Sequence, residues 1–174
     1  IKTLLTATTT VTIPRLTYYK THNMEDIFQQ LVSEIFKIMI TLLLPVVIGI
    51  NVVSRELVII LLGPGFEKSE IVLKILAFAV FFAMFATIIN GCILLPYKKE
   101  KFVLKATITA AVINLIANLI AIPLFQQNGA AVTTIISECV VMIIGWNFAR
   151  RIVKLEDVKK VVFTSTIGCI AIIV

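Results

Sequence analysis

Long apolar blocks separated by short polar connectors form the dominant pattern of this chain. A helix needs about 20 apolar residues to cross the roughly 30 Å of hydrocarbon in a bilayer. We predict that residues 35–53, 71–95, 102–125 and 130–149 cross the membrane. Unbroken apolar runs of this length are typical of helices in lipid and are too long for strands.

Shorter stretches complete the predicted organisation. Residues 1–15 and 161–174 are each expected to be part of a truncated transmembrane helix, because the first residue is not methionine and the last lies in an apolar run. Residues 16–34 mix charged and apolar side chains, which predicts an amphipathic linker at the cytoplasmic surface. Residues 57–62 are too short to cross and are expected to lie at the interface, while residues 150–160 form a basic loop.

Composition supports lipid as the solvent of this chain. Hydrophobic residues make up 59% of the sequence, against roughly 45–50% in soluble domains. A soluble domain of 174 residues could not bury that much apolar surface in one core. The predicted fold is therefore all-α, a polytopic transmembrane helix bundle. The net charge of +6 lies mainly in the connectors, so we expect it to set topology and expect no nucleic-acid partner.

The basic residues also predict an orientation. When the connectors are assigned alternately to the two faces of the membrane, 12 of the 16 Lys and Arg side chains fall on one face. The positive-inside rule then places residues 16–34, 98–101 and 150–160 in the cytoplasm of a multi-pass protein of the inner (plasma) membrane.

Few polar side chains lie inside the predicted spans, and these are the candidate pathway residues: Glu138, Asn118, Asn114 and Asn90. The turn at residues 126–129 makes the flanking spans antiparallel neighbours, so we expect Asn118 and Glu138 to lie at matching depths and to hydrogen-bond. Two interpretations remain open. The polar set is either a buried structural network with a neutral Glu138, or a water-filled cavity where Glu138 meets a proton, a cation or the substrate.

Arg15 is a further candidate, at the end of the first apolar stretch. It is either a cationic anchor at the interface or a bidentate ligand for an anionic headgroup such as a diphosphate. The sequence has no paired acids, no nucleophile–base pair and no Cys/His metal spacing. We therefore expect no enzyme activity, no catalytic residues, no metal and no cofactor, and leave proton or sodium coupling open.

Four segments stand out in order along the chain: VTIPRLTYY (residues 11–19), NGCILLPYKKEK (90–101), AVINLIANLIAIP (111–123) and GAAVTTIISE (129–138). They resemble segments of oligosaccharide flippases of the Wzx type, in the polysaccharide exporter group. The first is similar to the cytoplasmic end of the eighth helix of that family. Together they cover nearly the whole chain.

The resemblance implies a fragment of a two-lobed, MATE-like exporter made of two six-helix halves, in which the N-terminal helix bundle of the same chain is the missing partner. It implies that an undecaprenyl-diphosphate-linked oligosaccharide repeat unit is flipped by alternating access for cell-surface polysaccharide synthesis. The alternatives in the same superfamily are a multidrug antiporter and a lipid II flippase. A membrane polymerase or ligase is disfavoured, because the predicted external loops are short.

Overall fold

The computed structural model of the chain describes residues 2–153, with side chains from residue 11 onward. The predicted span at residues 161–174 and most of the predicted basic loop lie outside the described residues. The described part contains helices and no strand, which confirms the all-α fold. The elements are α1 (Lys2–Thr21), α2 (Glu25–Val52), α3 (Ser54–Leu62), α4 (Ser69–Ile88), a π-helical segment (Ile89–Leu94) that continues α4, and α5 (Glu100–Ala149).

Within residues 2–153, three helices are long and apolar enough to cross a membrane: α2, α4 with its π-helical segment, and α5. The 50 residues of α5 would extend about 75 Å if straight, more than twice the hydrocarbon thickness. The helix instead folds back at Gln126, whose backbone has φ 51° and ψ −130°. We call residues 100–125 the first arm of α5 and residues 127–149 its second arm.

The structure divides residues 16–34 differently from the predicted linker. α1 continues to Thr21, a short turn contains Asn23 with φ 55°, and α2 then runs without interruption from Glu25. Phe28 and Val32 are fully buried. They continue the apolar stripe of α2, spaced three or four residues apart, that faces the other helices. The first turns of α2 are therefore held in the bundle by the same packing as its centre.

The predicted interfacial segment falls within α3. Nine helical residues extend about 14 Å, too short to cross. Ile60 and Leu61 are about three-quarters exposed, whereas Ser54 and Val58 are buried against the bundle. The helix ends at Gly63, whose φ of 89° suits glycine.

The core runs along α2 and α4 from Val47 and Ala77 to the π-helical segment, and at that end it takes in Leu16 of α1 and Ala149 of α5. In the π-helical segment, the Leu95 amide donates to the Asn90 carbonyl, five residues back. A β-carbon at Gly91 would lie 3.2 Å from the Ile13 side chain, and one at Gly145 would lie 3.0 Å from Asn90 Oδ1. Small residues therefore let α1 and the second arm of α5 approach this segment from two sides.

Candidate functional site

Four polar side chains join the two arms of α5, and we call them the polar ladder: Asn114, Asn118, Thr133 and Ser137. The Asn114 amide donates to Ser137 Oγ at 2.8 Å, and the Thr133 hydroxyl donates to Asn118 Oδ1 at 2.5 Å. Within the first arm, the Asn118 amide donates to Asn114 Oδ1 at 2.9 Å. Hydrogen bonds between helices hold a hairpin together in lipid, where apolar burial supplies little attraction. The ladder supports the structural interpretation for Asn114 and Asn118.

The arms touch most closely near the bend. A β-carbon at Gly129 would lie 2.3 Å from the Ala121 carbonyl oxygen and 2.7 Å from its carbonyl carbon. Such distances are far below van der Waals contact, so only glycine fits here without moving the first arm. This close approach brings the amides and hydroxyls of the polar ladder within hydrogen-bonding reach.

Glu138 lies beside the polar ladder and is not part of it. The expected Asn118–Glu138 hydrogen bond is not formed, because Asn118 pairs with Thr133 and Asn114. The reason is the tightness of the bend: one non-helical residue, Gln126, reverses the chain, so the second arm starts earlier than a four-residue turn would allow. Glu138 is consequently about one turn farther from the bend than Asn118. Among the described residues, none hydrogen-bonds or ion-pairs with its partly buried carboxyl group.

Asn90 occupies a separate position. It lies in the π-helical segment, next to Gly145, and Gly145 is about 12 Å along the second arm from Ser137. The Asn90 side-chain oxygen is buried without a hydrogen-bond partner in the described part of the chain. The structure thus does not bring Asn90 to the polar ladder.

Arg15 lies on α1, away from the other candidates. Its Nε donates to the Tyr19 hydroxyl at 2.8 Å, and its guanidinium carbon is 5.6 Å from the centre of the Tyr19 ring. The side chain borders a small groove of about 190 Å³ between α1 and α2, together with Tyr19, Ile27, Gln30, Leu31 and Glu34. The contacts to Tyr19 fix the guanidinium at the rim of this groove.

A charged cluster that the sequence analysis missed links three elements, and we call it the Glu25 junction: Lys20, Glu25 and Tyr97. The Tyr97 hydroxyl donates to Glu25 Oε1, and Lys20 Nζ donates to Glu25 Oε2 at 2.9 Å. Lys20 Nζ also lies 4.0 Å from the centre of the Tyr97 ring. No spacing rule could have found it, because Tyr97 is 72 residues from Glu25.

The contacts at the Glu25 junction keep Lys20 and Tyr97 protonated, so both can donate hydrogen bonds to the Glu25 carboxylate. The hydrogen bond to Glu25 raises the pKa of the Lys20 ammonium above its ordinary value. Burial, followed by the hydrogen bond to Glu25, raises the pKa of the Tyr97 hydroxyl. Next to the junction, the Gln29 side chain donates to the Ile152 carbonyl at 2.9 Å. The start of α2 is thereby tied to the connector before α5 and to the residues that follow it.

The geometry offers binding and packing chemistry. No group of three or more His, Cys, Asp or Glu side chains within residues 2–153 is placed to hold a metal ion. The polar ladder and the Glu25 junction join separate segments, whereas the Glu138 carboxyl group has no hydrogen bond or ion pair with a described residue.

Comparison with known proteins places the chain in a family. The family model described as lipid II flippase MurJ matches residues 3–174. A Bacillus subtilis (strain 168) protein described as lipid II flippase MurJ is 26% identical over 152 residues, which is 85% of this chain and 28% of that protein. The chain thus spans less than a third of the length of this relative. No solved structure matches the chain significantly.

These findings agree with the expected exporter superfamily and favour its lipid II alternative over the Wzx type. They also agree with a multi-pass membrane protein that carries the three long apolar helices. Because the family match extends over nearly every residue, the chain belongs to the lipid II flippase MurJ family.

Proposed function

We propose that the full-length protein moves lipid II, the lipid-linked precursor of peptidoglycan, across the cell membrane. The observation that carries this proposal is the family match over residues 3–174. The three long apolar helices support it, since a flippase must span the bilayer. The family is one of flippases and not of enzymes, in general agreement with the sequence analysis.

Alternating access is the mechanism we propose, with the described helices rocking against the N-terminal helix bundle that the resemblance to exporters implies. The polar ladder supports this role for α5, because a hairpin closed by hydrogen bonds can move as a rigid unit. We assign the face that carries the Glu25 junction and Arg150 to the cytoplasm, as the positive-inside rule predicts.

Conditional depletion of the full-length protein tests the function. Lipid II exposed on the outer face can be measured by its accessibility to an external probe. Depletion should lower the exposed fraction and raise the internal pool, and re-expression should reverse both effects. An unchanged exposed fraction after complete depletion would refute the proposal, provided that no second flippase is present in the strain.

A Wzx-type function is the second candidate, because the segments at residues 90–101, 111–123 and 129–138 resemble that family. It predicts that depletion traps undecaprenyl-diphosphate-linked oligosaccharide repeat units inside while the exposed fraction of lipid II is unchanged. Measuring both lipid pools in the same depleted cells separates the two substrates.

We propose further that Glu138 couples transport to a proton or another cation. A carboxyl group inside a span without a partner among the described residues is costly to keep charged, so binding a cation should stabilise it. Glu138→Gln should therefore change the pH or ion dependence of transport. The matched control is Glu100→Gln, an exposed acid at the start of α5. An unchanged dependence at normal protein level would reject the coupling role.

A further inference from the structure

A polar cleft of about 670 Å³ lies where the beginning of α2 meets the end of α5. Ser33 and Lys37 line it from α2, and Arg150 and Arg151 line it from the end of α5. We call it the α2–α5 cleft. The hydrogen bond from Gln29 to the Ile152 carbonyl closes one part of its wall and fixes the two elements relative to each other.

The length of α2 places the cleft at a membrane surface. Its 28 residues extend about 42 Å, roughly 12 Å more than the hydrocarbon layer. With Val52 at the opposite boundary, Ser33 lies about 28 Å away along the helix. The cleft therefore opens at the level where hydrocarbon gives way to lipid headgroups.

The charged side chains that line the cleft favour binding of a ligand with a single negative charge. Lys37, Arg150 and Arg151 contribute three positive charges, and Asp26 and Glu34 contribute two negative ones, so the lining residues within 2–153 have a net charge of +1. Within the described residues, neither arginine forms an ion pair. This balance suits a monoanionic phosphodiester better than inorganic phosphate or a diphosphate, which the two carboxylates would repel more strongly.

Ser33 adds an uncharged hydrogen-bond donor to the cleft. The residue is 6% exposed, and it lines the cleft. No described residue hydrogen-bonds its hydroxyl group. The hydroxyl oxygen is accessible from the cleft, unlike the fully buried, unpaired side-chain oxygens of Asn90 and Asn128. It can therefore donate a hydrogen bond to a phosphate oxygen bound in the cleft.

We propose that the α2–α5 cleft binds the phosphodiester headgroup of an anionic phospholipid. Arg150 and Arg151 bind its oxygens through charge-assisted hydrogen bonds, Lys37 adds positive charge, and the Ser33 hydroxyl donates one more hydrogen bond. The proposed ligand is a phospholipid of the bilayer, so the proposal does not depend on the transport function.

Lipid titration of the purified full-length protein tests the site. The protein is placed in nanodiscs of phosphatidylcholine with increasing phosphatidylglycerol, and retained lipid is counted by native mass spectrometry alongside the thermal unfolding midpoint. Ser33→Ala should unfold like the wild type in phosphatidylcholine but bind phosphatidylglycerol roughly tenfold more weakly, as expected for losing a hydrogen bond to a charged group.

The double variant R150Q/R151Q should lose the phosphatidylglycerol-dependent stabilisation. Arg55→Gln is the matched control and should keep it, because Arg55 is exposed on α3 outside the cleft. If R150Q/R151Q does not insert correctly, Ser33→Ala still decides the question.

Three outcomes would overturn the assignment. Equal phosphatidylglycerol affinity in the wild type and Ser33→Ala would show that the hydroxyl does not contact the headgroup. Competition by inorganic phosphate at similar concentration would identify a free-phosphate site. Equal stabilisation by phosphatidylcholine would show that lipid acts through its chains alone.

Discussion

Gly129→Ala should destabilise the α5 hairpin, because the added methyl group has no space. Its carbon would lie 2.3 Å from the Ala121 carbonyl oxygen and 3.2 Å from the Ala121 β-carbon. The first contact is with backbone, which cannot rotate away as a side chain can. Relief to ordinary contact near 3.4 Å requires the two arms to separate by about 1 Å.

The loss of stability can be worked out from the hydrogen bonds that this separation of the arms would break. The bonds from Asn114 to Ser137 at 2.8 Å and from Thr133 to Asn118 at 2.5 Å would stretch past hydrogen-bonding distance. Each such bond is worth about 0.6 kcal/mol on average in membranes, and overpacking itself costs roughly 1–3 kcal/mol. Alanine recovers up to about 1 kcal/mol through its helix propensity. We expect a net loss of about 1–3 kcal/mol in the free energy of unfolding.

Two other glycines complete the test. Nothing lies within 4 Å of a β-carbon built at Gly49, so Gly49→Ala should be neutral or stabilising by up to about 1 kcal/mol. At Gly145 the nearest atoms, Asn90 Oδ1 and Ile89 Cγ2, are both 3.0 Å away and belong to side chains. Because side chains can move aside, the stability of Gly145→Ala should lie between the stabilities of the other two variants.

The assay is thermal or denaturant unfolding of the full-length protein in detergent, followed by circular dichroism. The expected order of stability is Gly49→Ala above Gly145→Ala above Gly129→Ala. If Gly129→Ala is as stable as Gly49→Ala, the arms are not in backbone contact at Ala121 and the deduced hairpin register is refuted.

Three further substitutions test other contacts. Asn118→Ala leaves the Thr133 hydroxyl and Asn114 Oδ1 without their partner. The free energy of unfolding should fall by about 1–2 kcal/mol in the same assay. An unchanged free energy of unfolding would mean that the polar ladder is not formed. Tyr97→Phe keeps the ring beside Lys20 but removes the hydrogen bond to Glu25, so we expect faster proteolysis of the loop near residues 96–99. An unaltered rate would contradict a role of this bond in fixing the connector before α5 to α2. Arg15→Lys keeps the charge but not the bidentate geometry, so transport should fall while topology is retained; normal transport would indicate an interfacial anchor only.

Part of the candidate site followed from the sequence and part did not. The positions of Asn114 and Asn118 in one span, opposite the next span, could be derived from helix period and the intervening turn. Their partners could not, because a bend of one residue at Gln126 shifts the register by about a turn and puts Thr133 where Glu138 was expected. The register of the two α5 arms depends on how closely their backbones approach each other, and the contact of Gly129 with Ala121 sets that distance.

The sequence by itself determined that the chain is suited to lipid and that its secondary structure is helical. Whether a block can cross lipid depends on its length and composition, which are local properties, and α2, α4 and α5 are long and apolar enough to do so. Only the tertiary structure decided the Glu25 junction, the π-helical contact at Gly145 and the α2–α5 cleft. Each depends on residues far apart in the chain that meet when helices pack, and the distances and angles of that packing are fixed by side-chain shape across several elements at once.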